Sequence, residues 1–513
     1  MSSYFLAILV TSFVCALGLT PLVRAIAVRF GITDQPDRRR KLHKRIVARA
    51  GGSAVLGAVL LVCALGVLFF PIELSEIEPG QIQVFGMLLA VMVGIWLLGL
   101  ADDIWTLRGR QKLLGQIALG TALVFSGFQI QNISVFGVPV ALGVLAIPVS
   151  LIWLLATTNA LNLIDGSDGL CSTLGAIICG SLGILASVNG HVAESVVAFS
   201  MCGALLGFLV FNFPPATIFL GDSGSLLIGM VTGALAIRCS LEGATTVAML
   251  APVAILSLPL LDSLMAILRR KLTGRSIYAT DRAHIHHSLK GKGLSDKGLL
   301  LVVACLALIT AAGALIGAKY NQEWLALGTV AAVFVLLIVT KAFGYSEMAL
   351  LARRGSHFAM SFMQRVQKDV AQQRAVRLQG DLEWETIWEH LVQFAEEEQL
   401  SRLHLDLNVP WLEEGFHGAW QKSRMPDKSE RWTAMLPIFG DGQVAGRIEV
   451  MGPAKSEQSL EQMNRLTALI EDITPKIAHI LSVGRLPVER VVEIPTQAEE
   501  VRQSELAAEL PVA

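Results

Sequence analysis

The stretch Asn159-Ala-Leu-Asn162-Leu-Ile-Asp165-Gly166-Ser-Asp168-Gly169-Leu170 sets two amides, two carboxylates and two glycines side by side. Apolar runs, 140–157 and 170–188, lie on either side. Carboxylates next to hydrocarbon are costly without partners, and those that persist there usually mark function. Oxygen donors interspersed with glycine suit a hard cation such as Mg²⁺ holding phosphate. The competing account is a polar turn whose Asn and Asp cap two helices.

Three further clusters carry similar chemistry. Asp102 and Asp103 are adjacent, and adjacent carboxylates repel unless a cation or proton lies between them. They suit a general base or a partner supporting a metal ion, or else a solvated helix end. Gly221-Asp222-Ser223-Gly224-Ser225 precedes an apolar segment. Asp222 at a helix start is favoured by the dipole, and the amides there are expected to be open to a phosphate; a plain cap competes. No Gly-Lys-Ser/Thr follows, so a Walker motif is excluded. Asp281-Arg282-Ala283-His284-Ile285-His286-His287 lacks the Cys or HExxH spacing of a zinc site. Arg282 beside the histidines points to nucleotide contact, and a solvated histidine run is the alternative. A basic first loop, Asp34 to Lys41 and His43, ends in Arg49-Ala-Gly51-Gly52. It is either an anchor beside anionic lipid or a holder of phosphate.

The elements that position these clusters are membrane helices. The chain is 53% hydrophobic and 16% charged, too apolar for an ordinary soluble protein. Apolar windows predict about eleven spans, near 4–28, 50–70, 82–101, 112–128, 140–157, 169–188, 192–212, 224–238, 245–268, 297–317 and 324–342. The first is expected to be a retained helix and not a cleaved signal, because no basic region precedes it. A formal net charge of −1 gives no field to attract nucleic acid. The seven cysteines include no CxxC pair, so neither a zinc site nor a disulfide framework is suggested. Bases crowd the odd-numbered loops, which predicts an outside N-terminus and cytoplasmic odd loops. Every polar cluster falls in an odd loop. Random caps would not sort to one face, whereas one shared site would require it. A transporter would instead place ionisable groups near mid-membrane, and Asp262 is the main carboxylate inside a span.

Taken together, DxPDxxRKxH…GG, DD, NxxNxxDGxDGL, GDSGS and DRxHIHH, in this order over residues 1–345, resemble the polyprenyl-phosphate N-acetylhexosamine-1-phosphate transferases. The histidine motif resembles the WecA branch; the MraY branch has a further His where Ser288 stands. The resemblance implies transfer of a sugar 1-phosphate, GlcNAc-1-phosphate for the WecA branch, from a UDP-N-acetylhexosamine to undecaprenyl phosphate. UMP would leave, at the cytoplasmic face of a bacterial inner membrane. It implies Mg²⁺, with Mn²⁺ as a substitute, on Asp222, Asp165 and Asn162. It implies catalytic roles for Asp102, Asp103, Asp165 and Asp168, with Asp102 and Asp103 on the lipid phosphate. Substrate contacts would come from Lys41, His43, Asn159, Asn162, Arg282, His284, His286 and His287.

Beyond residue 345 the composition turns charged. Residues 346–382 are expected to form an amphipathic connecting helix with possible self-pairing. Residues 383–485 read as a small α+β domain. A helix is expected from Trp384 to Gln399, a strand from Arg402 to Leu407, and a hairpin around Gly440-Asp441-Gly442. A last helix runs from Ser456 to Leu481. The hairpin resembles part of a GAF domain. Homodimer contacts or regulation are the roles expected of this region, and the Glu-rich tail 486–513 is expected to be disordered.

Overall fold

The computed structural model describes residues 2–34, 46–69, 79–135, 138–241, 250–273, 283–349, 351–352, 372–379, 382–409, 412, 414–422, 425–427, 430–440, 443–454 and 456–483. The chain forms two compact units, 1–365 and 366–513.

The first unit is helical: α1 Ser2–Arg29, α2 Gly51–Phe69, α3 Pro79–Trp105, α4 Gly109–Phe125, α5 Ala146–Ile164, α6 Leu170–Val188, α7 Val192–Asn212, α8 Gly221–Leu241, α9 Leu250–Ile255, α10 Ser257–Leu272, α11 Ile285–Gly291, α12 Asp296–Tyr320 and α13 Glu323–Val339. Six helices among the described residues, α1, α3, α5, α6, α7 and α12, are long and apolar enough to cross a membrane, and α2 and α13 contain shorter apolar stretches. The expected count of about eleven is therefore not reached by length and composition. Within the expected span 245–268, the described residues from Leu250 on form two helices, α9 and α10, parting at Leu256 between Pro252 and Pro259. α4 and α8 carry charges in their first or last turns, Arg110 and Lys112, and Asp222 and Arg238. The segment 132–141, whose last residues were expected to begin a span, is instead a hairpin of β3 Asn132–Val135 and β4 Val138–Ala141.

α8 is the hub. It packs against α2, α3, α5, α6 and α7, and its residues from Leu226 to Leu235 that have apolar side chains are fully buried. A helix apolar on all sides belongs in a core. Glycine lets α5 approach α8 closely. A Cβ at Gly229 would lie 2.5 Å from Thr158 Cα, and one at Gly233 would lie 2.2 Å from Thr157 Oγ1. One turn beyond Thr158 on α5 is Asn162; one turn before Gly229 on α8 is Ser225. The close crossing therefore brings the end of α5 to the start of α8.

A short sheet completes the arrangement. β1 Thr33–Asp34 pairs antiparallel with β2 Val47–Arg49, which pairs parallel with β5 Ile218–Phe219. Its strands are only two or three residues long, and it delivers Arg49 beside the start of α8.

The second unit has one antiparallel sheet in the order β6-β8-β7-β10-β9. The strands are β6 Gln372–Gln379, β7 Arg402–Val409, β8 Glu414–Gln421, β9 Arg431–Gly440 and β10 Gln443–Pro453, with helices α14 Trp384–Glu397 and α15 Ser456–Val483. α14 buries Trp384, Ile387, Trp388, Leu391, Val392 and Ala395 at helical spacing. Gly418 on β8 admits the Trp388 ring, since a Cβ there would lie 2.4 Å from it. The hairpin expected around 440–442 is β9–β10, with Gln443 opposite Gly440. Residues 372–379, expected in the connecting helix, are a strand paired with β8. The 486–513 tail lies outside the described residues.

Candidate functional site

α3 ends in Asp102 and Asp103, and the two neighbours part company. Asp103 turns to α8. Its Oδ1 accepts the Asp222 amide at 2.9 Å and its Oδ2 the Ser223 amide at 3.0 Å. Arg49 Nε lies 3.0 Å from Asp103 Oδ1. This overturns one expectation: the first amides of α8 are not open to phosphate, because a carboxylate of the chain already fills that anion position. Two glycines permit the fit. A Cβ at Gly99 would lie 2.4 Å from Asp222 O, and one at Gly52 would lie 2.3 Å from Gly224 N. α2 and α3 thus grip the backbone of 222–224 from two sides.

Asp102 turns the other way, to Lys112 in the first turns of α4. Lys112 Nζ is 3.0 Å from Asp102 Oδ2, 2.7 Å from Asp222 Oδ2 and 3.0 Å from Asn162 Oδ1. Asn162 Nδ2 donates to Asp222 Oδ1 and to Ser225 Oγ, each at 2.9 Å. One ammonium nitrogen therefore sits where two carboxylates and one amide oxygen converge. A convergence of hard oxygen donors on a cation is the donor chemistry that Mg²⁺ requires, and the residues fit such an ion. No group of three His, Cys, Asp or Glu side chains suited to a metal occurs among the described residues; the set here is two carboxylates and an amide.

α5 ends at Ile164 because Asp165 leaves helical geometry, and Gly169 at φ 72° starts α6. That left-handed position suits glycine. Burial, then the nearby charge of Asp222, push the Asp165 carboxyl up to about 8. Asp168 faces a different partner: its Oδ2 accepts the Ala216 amide at 2.9 Å, tying the turn to the loop before β5. Asn159 is held by Gln116, donating to Gln116 Oε1 at 2.8 Å, and also donates to Leu155 O. Both groups hold the scaffold together.

His286 is the residue that meets the turn. A Cβ at Gly166 would lie 2.5 Å from His286 Nε2. His286 is buried, and among the described residues neither ring nitrogen has a hydrogen-bond partner. Burial holds this imidazole well below its ordinary pKa, which favours its neutral form. The His286 and His287 ring centroids are 4.3 Å apart. His284 points elsewhere: its Nδ1 is 2.7 Å from Asp262 Oδ2. Lys41, His43, Asp281 and Arg282 lie outside the described residues.

Sequence reasoning assigned Lys112 and Arg49 no individual role in the chemistry: Lys112 counted as one of the bases that orient the loops, and Arg49 closed a stretch read as an anchor or a holder of phosphate. One signal was available. Lys112 and Gln116 stand four apart, and Asn159 and Asn162 three apart, so each pair lines one helix face. Across α4 and α5 they meet as Lys112–Asn162 and Gln116–Asn159.

The glycosyl transferase family 4 model matches residues 85–240, the interval that holds Asp102, Asp103, Lys112, Asn162, Asp165 and Asp222. A probable undecaprenyl-phosphate N-acetylglucosaminyl 1-phosphate transferase of Bacillus subtilis is 33% identical over 64% of this chain and 88% of its own length. A decaprenyl-phosphate N-acetylglucosaminephosphotransferase of Mycolicibacterium smegmatis is 35% identical over 63% of this chain and 84% of its own. A phospho-N-acetylmuramoyl-pentapeptide-transferase of Streptococcus pneumoniae is 34% identical over 50% and 78%. The chain belongs to glycosyl transferase family 4, and with its apolar helices it is a multi-pass bacterial membrane protein.

Proposed function

We propose that the protein transfers GlcNAc 1-phosphate from UDP-GlcNAc to undecaprenyl phosphate at the cytoplasmic face, releasing UMP and starting a lipid-linked envelope glycan. The observation that carries this reading is the convergence of Asp102, Asp222 and Asn162 on the Lys112 ammonium. The names of the B. subtilis and M. smegmatis relatives favour an N-acetylglucosamine donor.

In the reaction, an oxygen of the lipid phosphate attacks the sugar-side phosphorus of the donor. The bond from that phosphorus to the bridging oxygen breaks, and UMP takes the electron pair. Mg²⁺, held by Asp222, Asn162 and Asp102, the last in place of the Asp165 that the family resemblance implied, would offset the negative charge that gathers on the two phosphates. Arg49, 3.0 Å from Asp103 and 3.7 Å from Asp222, adds positive charge beside it, and Lys112 marks the position the ion would take. Asp103 keeps the start of α8 fixed, and so aims Asp222. Asp165, whose carboxyl is protonated more readily than usual, is available to exchange a proton with the acceptor phosphate. His286 meets the nucleotide side.

Residues 366–513 are proposed to serve self-association or regulation, not chemistry. The proposed sidedness follows from the basic odd loops. The test is purified protein with undecaprenyl phosphate and a panel of UDP-sugars, scored as lipid product and UMP. UDP-GlcNAc should be the preferred donor. Preference for UDP-MurNAc-pentapeptide would move the protein to the other branch, and no product from any UDP-sugar would end the reading.

A further inference from the structure

Behind the histidine loop, α10 presents two buried polar anchors that the chemistry above does not use. Asp262 accepts twice: Oδ2 lies 2.7 Å from His284 Nδ1, and Oδ1 takes the Ile285 amide at 2.8 Å. Seven residues on, and so on the same face of the helix, Arg269 donates to the Ala283 carbonyl at 2.8 Å. Arg269 also pairs with Glu347, and both side chains are buried. Three consecutive residues are thus gripped by a carbonyl, a ring and an amide.

Asp262 thus gives one carboxyl oxygen to the His284 ring and the other to the Ile285 amide. Asp262 and His284 are both buried, and the ring nearest Gly166 is that of His286. The His284 and His286 rings are parallel within 5° at 5.9 Å. α11 begins at Ile285, so the Ile285 amide held by Asp262 sets the direction of the helix that carries His286 and His287. A buried ring such as His286, with no hydrogen-bond partner of its own among the described residues, depends on its neighbours for orientation.

We propose that Asp262 is a positioning residue. It acts through His284 and the Ile285 amide, with Arg269–Glu347 as the second anchor, and it fixes the angle at which His286 meets the uridine nucleotide. Neither Asp262 nor His284 touches the donor. The proposal rests on the reading that His286 lies on the nucleotide side. It also gives the main carboxylate inside a span a role that requires no ion path.

The test uses the full-length protein and two measurements: UMP binding by calorimetry, and steady-state turnover of UDP-GlcNAc and undecaprenyl phosphate. Losing one buried hydrogen bond corresponds to about ten-fold in affinity. Asp262→Asn should weaken UMP binding and raise KM for UDP-GlcNAc by about that factor. KM for undecaprenyl phosphate and kcat should each change less than about three-fold. In a His286→Ala background the same substitution should add almost nothing, because the two act as one unit. The proposal is overturned if Asp262→Asn binds UMP as wild type does, if KM rises equally for both substrates, or if its effect multiplies fully with His286→Ala. Wild-type protein that binds no UMP would overturn the functional reading and this proposal together, an outcome distinct from the others. If Asp262→Asn is not monodisperse, His284→Gln breaks the same bond from the loop side and carries the same comparison.

Discussion

The acidic cluster and the histidine loop solve the problem of burying polar groups in opposite ways. In the cluster, Asp102, Asp103, Asp222, Asn162, Lys112 and Arg49 satisfy one another across β2, α3, α4, α5 and α8. Three carboxylates there face two cations, and the oxygen donors are already gathered. In the loop, the partners lie behind it, on α10, while the His286 ring toward Gly166 has no hydrogen-bond partner among the described residues. The difference separates two tasks. A phosphate-transfer centre must be rigid and charged before substrate arrives. A recognition surface must keep unsatisfied groups in place until a ligand satisfies them.

The sharpest way to break this contrast is to remove a donor from the cluster. Asp222→Ala should lower turnover by at least about 100-fold, with UMP release losing its dependence on Mg²⁺ while the protein stays monodisperse. Retained activity would take Asp222 out of the site. Lys112→Met comes next. It leaves Asp102 and Asp222 facing each other without their shared cation, and removing one partner of a largely buried pair costs about 3 kcal/mol. The melting temperature of metal-free protein should drop, and added Mg²⁺ should restore most of it. A drop that Mg²⁺ leaves unchanged would mean the ammonium does not mark a metal position.

Gly166→Ala tests the junction of the two regions. Its methyl would meet His286, so KM for the UDP-sugar should rise more than kcat falls. An unchanged KM would separate the histidine from the turn.

The smallest effects on turnover belong to the second unit. Truncation after residue 353 should leave membrane transferase activity within about two-fold, since the family model matches residues 85–240 and the second unit starts at residue 366. Within that unit, burial and then the Arg402 charge hold His404 down at about 4. An unfolded imidazole titrates near 6.5, so between those values the unfolded chain binds more protons than the folded one. The stability of the unit is thus fully present above about 6.5 and falls as pH drops toward 4. Protection of the residue 402–409 amides, relative to their intrinsic exchange rate at each pH, should fall over that window, and His404→Gln should flatten the trend.

The sequence carried much of this in its polar turns, because carboxylates and amides beside apolar runs have few reasons to exist. Asp222 at the head of α8 and the turn after α5 were legible on that ground. The role of Asp103 was not. A carboxylate next to another gives no sign of which one caps a distant helix; that depends on the approach permitted by Gly99 and Gly52. β1, β2 and β5 are too short for any alternation to register. Lys112 looked like a loop-orienting base because its partners lie 110 and 50 residues away. The break between α9 and α10 was hidden inside a continuous apolar run.

The account depends on Asp102, Asn162 and Asp222 holding one divalent cation between them. Electron paramagnetic resonance of Mn²⁺ titrated into the purified full-length protein measures this directly. One Mn²⁺ per chain should bind and be displaced by Mg²⁺, and Asp222→Asn should abolish that binding. A single Mn²⁺ held equally tightly by Asp222→Asn would contradict it.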